Sequence, residues 1–103
     1  MFSFYLTFLQ LRYNIYTMEF EYDEIKSFSN KNKHGIDFIE AQKLWNDENK
    51  IIYPARSEEE DRNILIATIE SKHWSAIYTL RYRKVRLISV RRSRKEEEEL
   101  YEG

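Results

Sequence analysis

The sequence predicts a small α+β domain, a mostly antiparallel β-sheet with two N-terminal helices and one C-terminal helix. Three observations support this class. The chain has 103 residues, of which 42% are hydrophobic, and this is enough for one core and one domain. Its local patterns follow the order β-α-α-β-β-β-β-α. Its central runs are rich in β-branched and aromatic residues, and the absence of cysteine leaves the fold to packing alone.

Residues 1–17 stand apart from the rest of the pattern. Their apolar run is too short to span a bilayer, and they lack the basic segment and cleavage site of a secretory signal, so we expect neither export nor membrane attachment. Because Met18 directly precedes the strand-like EFEY, one interpretation is an upstream extension, with translation starting at Met18. The alternative is an extra edge strand or a partner-binding arm. The single domain is predicted to comprise residues 18–103.

The first elements are a short strand and a helix. FEY at residues 20–22 predicts the strand, and Asp23 is placed to cap the helix that follows. Ile25 and Phe28 fall on one face of that helix. Gly35 can adopt the left-handed conformation that ends helices, which places His34 in the last turn.

A second short helix is predicted directly afterwards. Asp37 and Glu40 have the spacing of a capping box. The apolar residues that follow repeat at helical spacing: Phe38, Ala41, Leu44 and Trp45.

Four strands and a last helix complete the order of elements. IIYPA is predicted as a strand that stops at Pro54, and SEEED as a polar loop. NILIATIES and WSAIYTLRY are two longer strands joined around Lys72 and His73, and VRLISVR is the next. Ser93 and Glu96 form a second capping box, which opens a helix that ends near Tyr101.

The net charge of −1 conceals a strong polarity along the chain. RYRKVRLISVRRSRK, at residues 81–95, contains many basic residues and no acidic one, and EEEELYE follows it. Aromatic and apolar residues interleave with the arginines, which favours strands that present cations over a solvated tail. Such a surface is suited to polyanions. The glutamates have an ordinary explanation, because carboxylates in the first turn of a helix are favoured by its dipole.

The arginines also support a local argument about anion binding. If Arg83 and Lys84 form a two-residue turn, Tyr82 pairs with Val85, and Arg81 lies across from Arg86. Like charges opposite each other in a ladder repel, and a phosphate or an acidic segment between them would relieve the repulsion.

Two separated segments resemble one family. FEYDEIKSFSNKNKHGIDFIEA and RLISVRRSRKEEEELYE are similar to the opening and closing motifs of the BrnT family of bacterial toxins, over residues 18–103. The resemblance implies a RelE-like fold and a cytoplasmic ribonuclease toxin that cuts RNA endonucleolytically without metal, inhibiting translation and growth. It also implies a ribbon-helix-helix antitoxin of the BrnA type as partner, with operator DNA bound only through the antitoxin complex.

Metal-free RNA cleavage needs a base, an acid and fixed positive charge. His34 matches the family histidine and can exchange protons at neutral pH, although a helix-end residue beside a glycine can also be merely exposed. Lys33 is expected to contact phosphate. Arg91 matches the arginine of the family's ISAR motif, here ISVR, and is assigned with Arg81 to transition-state stabilisation.

Further residues are assigned to RNA binding: Arg62, Arg86, Arg92 and Tyr101. Tyr101 could stack on a base, although packing is the simpler role. Departures from the family pattern include Val90 and Ser93 in place of alanines and the EEEE run, which predict a weaker grip on RNA or an altered antitoxin interface.

Other chemistries have little support. No HExxH or helical histidine pair accompanies His34 and His73, so we expect no metal and no cofactor. Serine-nucleophile chemistry lacks the glycines of a nucleophile elbow. The alternative function is a non-catalytic module that binds nucleic acid or protein.

Overall fold

The computed structural model describes residues 18–56 and 61–103. The proposed N-terminal extension and residues 57–60 of the acidic loop lie outside them. In chain order the elements are β1 (Phe20–Glu21), α1 (Glu24–His34), a 3₁₀ helix (Glu40–Asn46), β2 (Ile51–Ala55), β3 (Arg62–Ile69), β4 (Lys72–Arg81), β5 (Lys84–Arg92) and α2 (Lys95–Glu102). The α+β class is confirmed.

The five described strands form one mixed sheet in the order β1-β5-β4-β3-β2. The pairings from β2 to β5 are antiparallel, whereas β1 runs parallel to β5, with Phe20 opposite Val85. The sheet is therefore not antiparallel throughout. The connection is long enough for a parallel pairing, because the chain passes through both N-terminal helices and three strands before β5 returns beside β1.

Helix α1 begins and ends as predicted. Oδ1 of Asp23 accepts hydrogen bonds from the N–H groups of Ile25 (2.8 Å) and Lys26 (3.2 Å). Gly35 has a φ of 81° and donates its N–H to the Lys31 carbonyl. The apolar face was a poor guide to burial, because Ile25 and Phe28 are 80% and 70% exposed.

Polar side chains anchor α1 instead. Asn30 is buried at the open edge of β5, where its amide donates to the Val90 carbonyl at 2.8 Å and accepts from the Val90 N–H at 3.1 Å. The same amide donates to the Ile36 carbonyl at 2.8 Å. Asn30 thus takes the place of a neighbouring strand beyond the end of β1, and it holds α1 against the sheet.

Replacing Asn30 by alanine is expected to lower the free energy of unfolding by about 2–4 kcal/mol, because three buried backbone groups lose their partner. Asn32→Ala is the matched control, since Asn32 is exposed on the same helix, and it should cost less than about 0.5 kcal/mol. Urea unfolding measures both. Equal effects of the two substitutions would contradict the anchoring role of Asn30.

The second predicted helix is a short 3₁₀ helix, and its capping box is half formed. Oδ1 of Asp37 accepts from the N–H of Glu40 at 2.7 Å, as such a box requires. The Glu40 carboxylate, however, pairs with Lys31 at 2.6 Å instead of returning to the backbone of Asp37. The predicted apolar set is buried: Phe38, Ala41, Leu44 and Trp45.

The core lies between the 3₁₀ helix with its flanking residues and one face of the sheet. Trp45 is central to it and makes edge-to-face contacts with Phe20 and Tyr78, at ring-centre distances of 5.0 and 5.2 Å. The sheet contributes alternate residues of β3, β4 and β5: Leu65, Ala67, Trp74, Ala76, Tyr78, Val85, Leu87 and Val90. The opposite face of these strands, which we call the second face, is covered in part by α2, whose Glu97 and Tyr101 contact Ser75 and Thr68.

Several predicted boundaries were wrong by one or two residues. Strand β2 continues through Pro54 to Ala55, because it pairs only with β3 and a proline is tolerated at a sheet edge. The turn after β3 is formed by Glu70 and Ser71, with φ of 51° and 69°, so Lys72 and His73 belong to β4.

The arginine hairpin also differs from its predicted register. Tyr82 and Arg83 form the turn, with φ of 50° and 68°, although no glycine marks it. Arg81 therefore lies opposite Lys84, and Arg86 lies opposite Thr79. The predicted pairing of Arg81 with Arg86 is wrong.

The C-terminal helix begins one residue later than its predicted capping box. Arg94 takes the N-cap position, and its N–H donates to Oε1 of Glu97 at 2.7 Å. The pair predicted for this role, Ser93 and Glu96, is not used. Ser93 instead shares a hydrogen bond with Ser75 at 2.8 Å.

Candidate functional site

The register places four predicted site arginines on the second face: Arg62, Arg81, Arg86 and Arg91. The reason is the alternation of strand residues, together with the bulge at Ile88, which shifts the alternation of β5 by one residue. In β5, Arg86 lies between the buried Val85 and Leu87, and Arg91 follows the buried Val90. Core packing on one face therefore turns these cations toward the other.

The arginines on the second face differ in their surroundings. Arg86 is half-buried and lies 3.8 Å from the carboxylate of Glu21 on β1. Arg81 is exposed at the end of β4. Arg62 borders a cleft of about 500 Å³ that Pro54 and Thr79 also line. The face is thus cationic over several strands.

Arg91 forms the best-defined ion pair on this face. Its two terminal nitrogens donate to the two carboxylate oxygens of Glu97, at 2.7 and 2.9 Å. Glu97 is 7% exposed and also accepts a hydrogen bond from Ser75 at 3.0 Å. The Arg91 guanidinium lowers the pKa of the Glu97 carboxyl to about 2, and the same hydrogen bonds raise the pKa of Arg91.

Arg92 lies apart from these four arginines. It pairs with Trp74 across the strands, and its guanidinium carbon lies 5.5 Å from the centre of the Trp74 ring. Its Nε donates to the His73 carbonyl at 3.2 Å. Any RNA contact by Arg92 would therefore involve the core-side rim of the sheet.

The hydroxyl of Tyr101 is engaged in attaching α2 to the sheet. It donates to Oδ2 of Asp47 at 2.7 Å, and its ring meets His73 edge-to-face at 5.2 Å. Burial of Asp47 opposes its ionisation, but hydrogen bonds from Tyr101, Thr68 and Asn49 keep the pKa of its carboxyl below the ordinary value. The packing role of Tyr101 is visible, and stacking on a base stays a prediction.

Lys33 and His34 lie at the end of α1, in a different cleft. Both are exposed, and they line a depression of about 170 Å³ between α1 and β5, together with Ile88 and Ser89. Ser89 lies opposite Ile77 and belongs to the second face. The structure therefore brings Lys33 and His34 to the rim of the arginine-bearing face, while Tyr101 lies over another part of that face, against Thr68 and His73, and Arg92 lies on the core side.

Sequence reasoning missed residues that shape the second face and the α1–β5 cleft. Glu97 was one of four similar glutamates, and nothing in its spacing marked it as the partner of Arg91. Asn30 carried no motif. Lys26, Asn30 and Lys33 do have the spacing of one helical face, and this signal could have identified the cleft.

The structure also bears on metals and membranes. In the described part of the chain, no group of three or more histidine, cysteine, aspartate or glutamate side chains is placed to hold a metal ion. Across residues 18–56 and 61–103, no helix has the length and apolar character needed to cross a membrane.

The fold and the site define a small α+β domain with a cationic sheet face, a class suited to binding nucleic acid. The model of the BrnT family, the ribonuclease toxin of type II toxin-antitoxin systems, matches residues 22–97. The chain belongs to this family, which confirms the resemblance of its motifs. Membership makes it a ribonuclease toxin with an antitoxin partner. No curated protein matches the chain significantly.

Proposed function

We propose that this toxin cuts RNA endonucleolytically without a metal ion, and that it acts in the cytoplasm to inhibit translation and growth. A ribbon-helix-helix antitoxin neutralises it, and operator DNA is bound only through the antitoxin complex. The observation that carries the proposal is the group of arginines on the second face, where Ser89 also lines the cleft of Lys33 and His34. The likeness to RelE-type toxins is part of this proposal.

In the proposed reaction, the RNA supplies its own nucleophile. A 2′-hydroxyl loses its proton to a base and attacks the adjacent phosphorus, and the bond from phosphorus to the 5′-oxygen breaks as that oxygen gains a proton. The products are a 2′,3′-cyclic phosphate and a 5′-hydroxyl. His34 is assigned to proton transfer, and Lys33 to a phosphate oxygen. Arg81 stabilises the charge of the transition state.

The remaining assignments follow from position. Arg62 and Arg86 are proposed to contact the RNA backbone across the second face, Arg92 to contact it at the core-side rim, and Tyr101 to stack on a base. Arg91 can join the catalytic set only if a phosphate replaces Glu97, because both of its terminal nitrogens already bind that carboxylate.

A second candidate is a binding module without catalysis. The observation in its favour is the setting of His34, which is exposed and has no hydrogen-bond partner within the described residues that would orient its ring. Histidines that act as acids or bases are commonly held by such a partner.

Purified protein freed of antitoxin is expected to cut RNA in EDTA as fast as in magnesium, because fixed cations replace the metal in this proposal. Gel analysis of labelled RNA measures cleavage, and 2′,3′-cyclic termini identify the reaction. Induced expression should arrest growth. Intact RNA under every metal condition, with a folded protein by circular dichroism, would favour the binding module.

A further inference from the structure

The cleft between α1 and β5 has a composition that the assignment of Lys33 and His34 does not explain. Its lining also includes Lys26, Ser29 and Ser89, and no acidic residue takes part among the described residues. Many other cations of the fold are neutralised by nearby carboxylates, such as Lys31 by Glu40 at 2.6 Å. The ammonium groups of Lys26 and Lys33 have no such partner in the described part of the chain.

The cleft is held in shape by its surroundings. Asn30 is one of its lining residues and binds α1 to the backbone of Val90, so the lysines of α1 and the serine of β5 keep a fixed relation. A β-bulge lies at the same place: Tyr78 faces Leu87 and Ile77 faces Ser89, which leaves Ile88 as the extra residue. Bulges of this kind redirect side chains beside functional sites.

Chemistry and position then favour one ligand. Two lysines and two serines line a volume of about 170 Å³, and ammonium and hydroxyl groups are donors suited to the acceptor oxygens of one phosphate group. Ser89 belongs to both the cleft and the second face, so an RNA strand whose backbone crosses Arg86 would reach the cleft with the next phosphate.

We propose that this cleft binds an internal phosphodiester of the RNA, with Lys26 and Ser89 as binding residues not assigned before. The inference rests on the proposed function for the identity of the polyanion. The phosphate bound here is the one that reacts, because Lys33 and His34, which are proposed to act on it, line the same cleft. The inference also explains why Lys33 lies in a cleft and not among the arginines of the second face.

The test measures binding of a 2′-O-methylated oligonucleotide, which cannot be cleaved, by fluorescence anisotropy. Lys26→Gln is expected to weaken binding about three- to tenfold and to reduce the salt slope by about 0.7, the value for one lost contact to a single strand. Ser89→Ala should weaken it less. Lys43→Gln is the matched control, because Lys43 is exposed on the 3₁₀ helix and lines a different depression. Unchanged affinity and slope in Lys26→Gln would overturn the inference.

Two further measurements distinguish an internal phosphodiester from a terminal phosphate, and RNA binding from RNA cleavage. Oligonucleotides with a 5′-phosphate or a 5′-hydroxyl should bind equally, and a preference for the 5′-phosphate that Lys26→Gln abolishes would overturn the assignment to an internal phosphodiester. Cleavage of ordinary RNA by the unaltered protein is measured separately. A protein that does not cleave, but whose binding depends on Lys26, would reject the nuclease proposal and support the phosphate cleft.

Discussion

Replacing His34 by alanine is expected to reduce the rate of RNA cleavage ~10²–10⁴-fold, while the affinity for uncleavable RNA changes little. The reason is that His34 is the only described histidine in the α1–β5 cleft, so its loss removes proton transfer without removing a fixed cation. His34 is exposed at a helix end, and its removal should leave the free energy of unfolding within about 0.5 kcal/mol. Single-turnover cleavage of labelled RNA measures the rate.

His73→Ala is the matched control. His73 lies beneath α2, where its Nε2 is 3.0 Å from a carboxylate oxygen of Glu102. Its replacement should alter cleavage less than about twofold, and should cost about 1–2 kcal/mol because the contacts with Glu102 and with the Tyr101 ring are lost. A fully active His34→Ala protein would return His34 to a helix-end role. Lys33 and the arginines would then carry the reaction by electrostatics.

The sequence predicted the secondary-structure elements well where hydrophobic periodicity or a helix-capping residue determined them. Asp23 and Gly35 bounded α1 because each acts within one turn of backbone. The hairpins were harder, because Glu70, Ser71 and the two residues of the arginine turn adopt positive φ without any glycine. Strand pairing imposed that conformation, and local preference gave no sign of it.

The site was predictable only in part for a related reason. Alternation along β5 alone would place Arg86 and Arg91, which are five residues apart, on opposite faces, and the bulge at Ile88 brings them to the same one. Two features depend on contacts distant in sequence: the bond of Asn30 to Val90, sixty residues away, and the choice of Glu97 among its neighbours. Sequence reasoning treated Arg91 as a cation available to RNA, whereas the fold uses it to attach α2.

The attachment of α2 is almost wholly polar. Its one aliphatic side chain, Leu100, is 57% exposed, and the helix meets the sheet through Glu97, Tyr101 and Glu102. A helix of eight residues gains little stability by itself. The Arg91–Glu97 pair therefore carries an unusual share of the attachment, and its loss should have a large effect.

Arg91→Ala is expected to lower the free energy of unfolding by about 2–3 kcal/mol at pH 7, because it leaves the buried Glu97 charge without its guanidinium. Replacing both members together, as Arg91→Met with Glu97→Met, should cost less than the single change, since no unpaired charge remains. Arg92→Ala is the control, expected to lose about 0.5–1 kcal/mol of contact with Trp74. Urea unfolding compares the three. Equal losses for Arg91→Ala and the double variant would contradict a charge-based role.

The pH dependence of the loss in unfolding free energy caused by Arg91→Ala tests whether that loss is electrostatic. Folding lowers the pKa of Glu97 from 4.5 to about 2, so the unfolded chain takes up this proton first as the pH falls. The pair should therefore stabilise the fold fully above pH 4.5, and its contribution should decline progressively as the pH falls through this window toward 2. The difference in free energy of unfolding between the unaltered protein and Arg91→Ala should become smaller over that pH range. A gap that stays constant from pH 7 to the acid limit of folding would assign the loss to packing of the Arg91 side chain. Any drop in RNA cleavage by this variant would then need to be judged against its altered α2 before it is credited to catalysis.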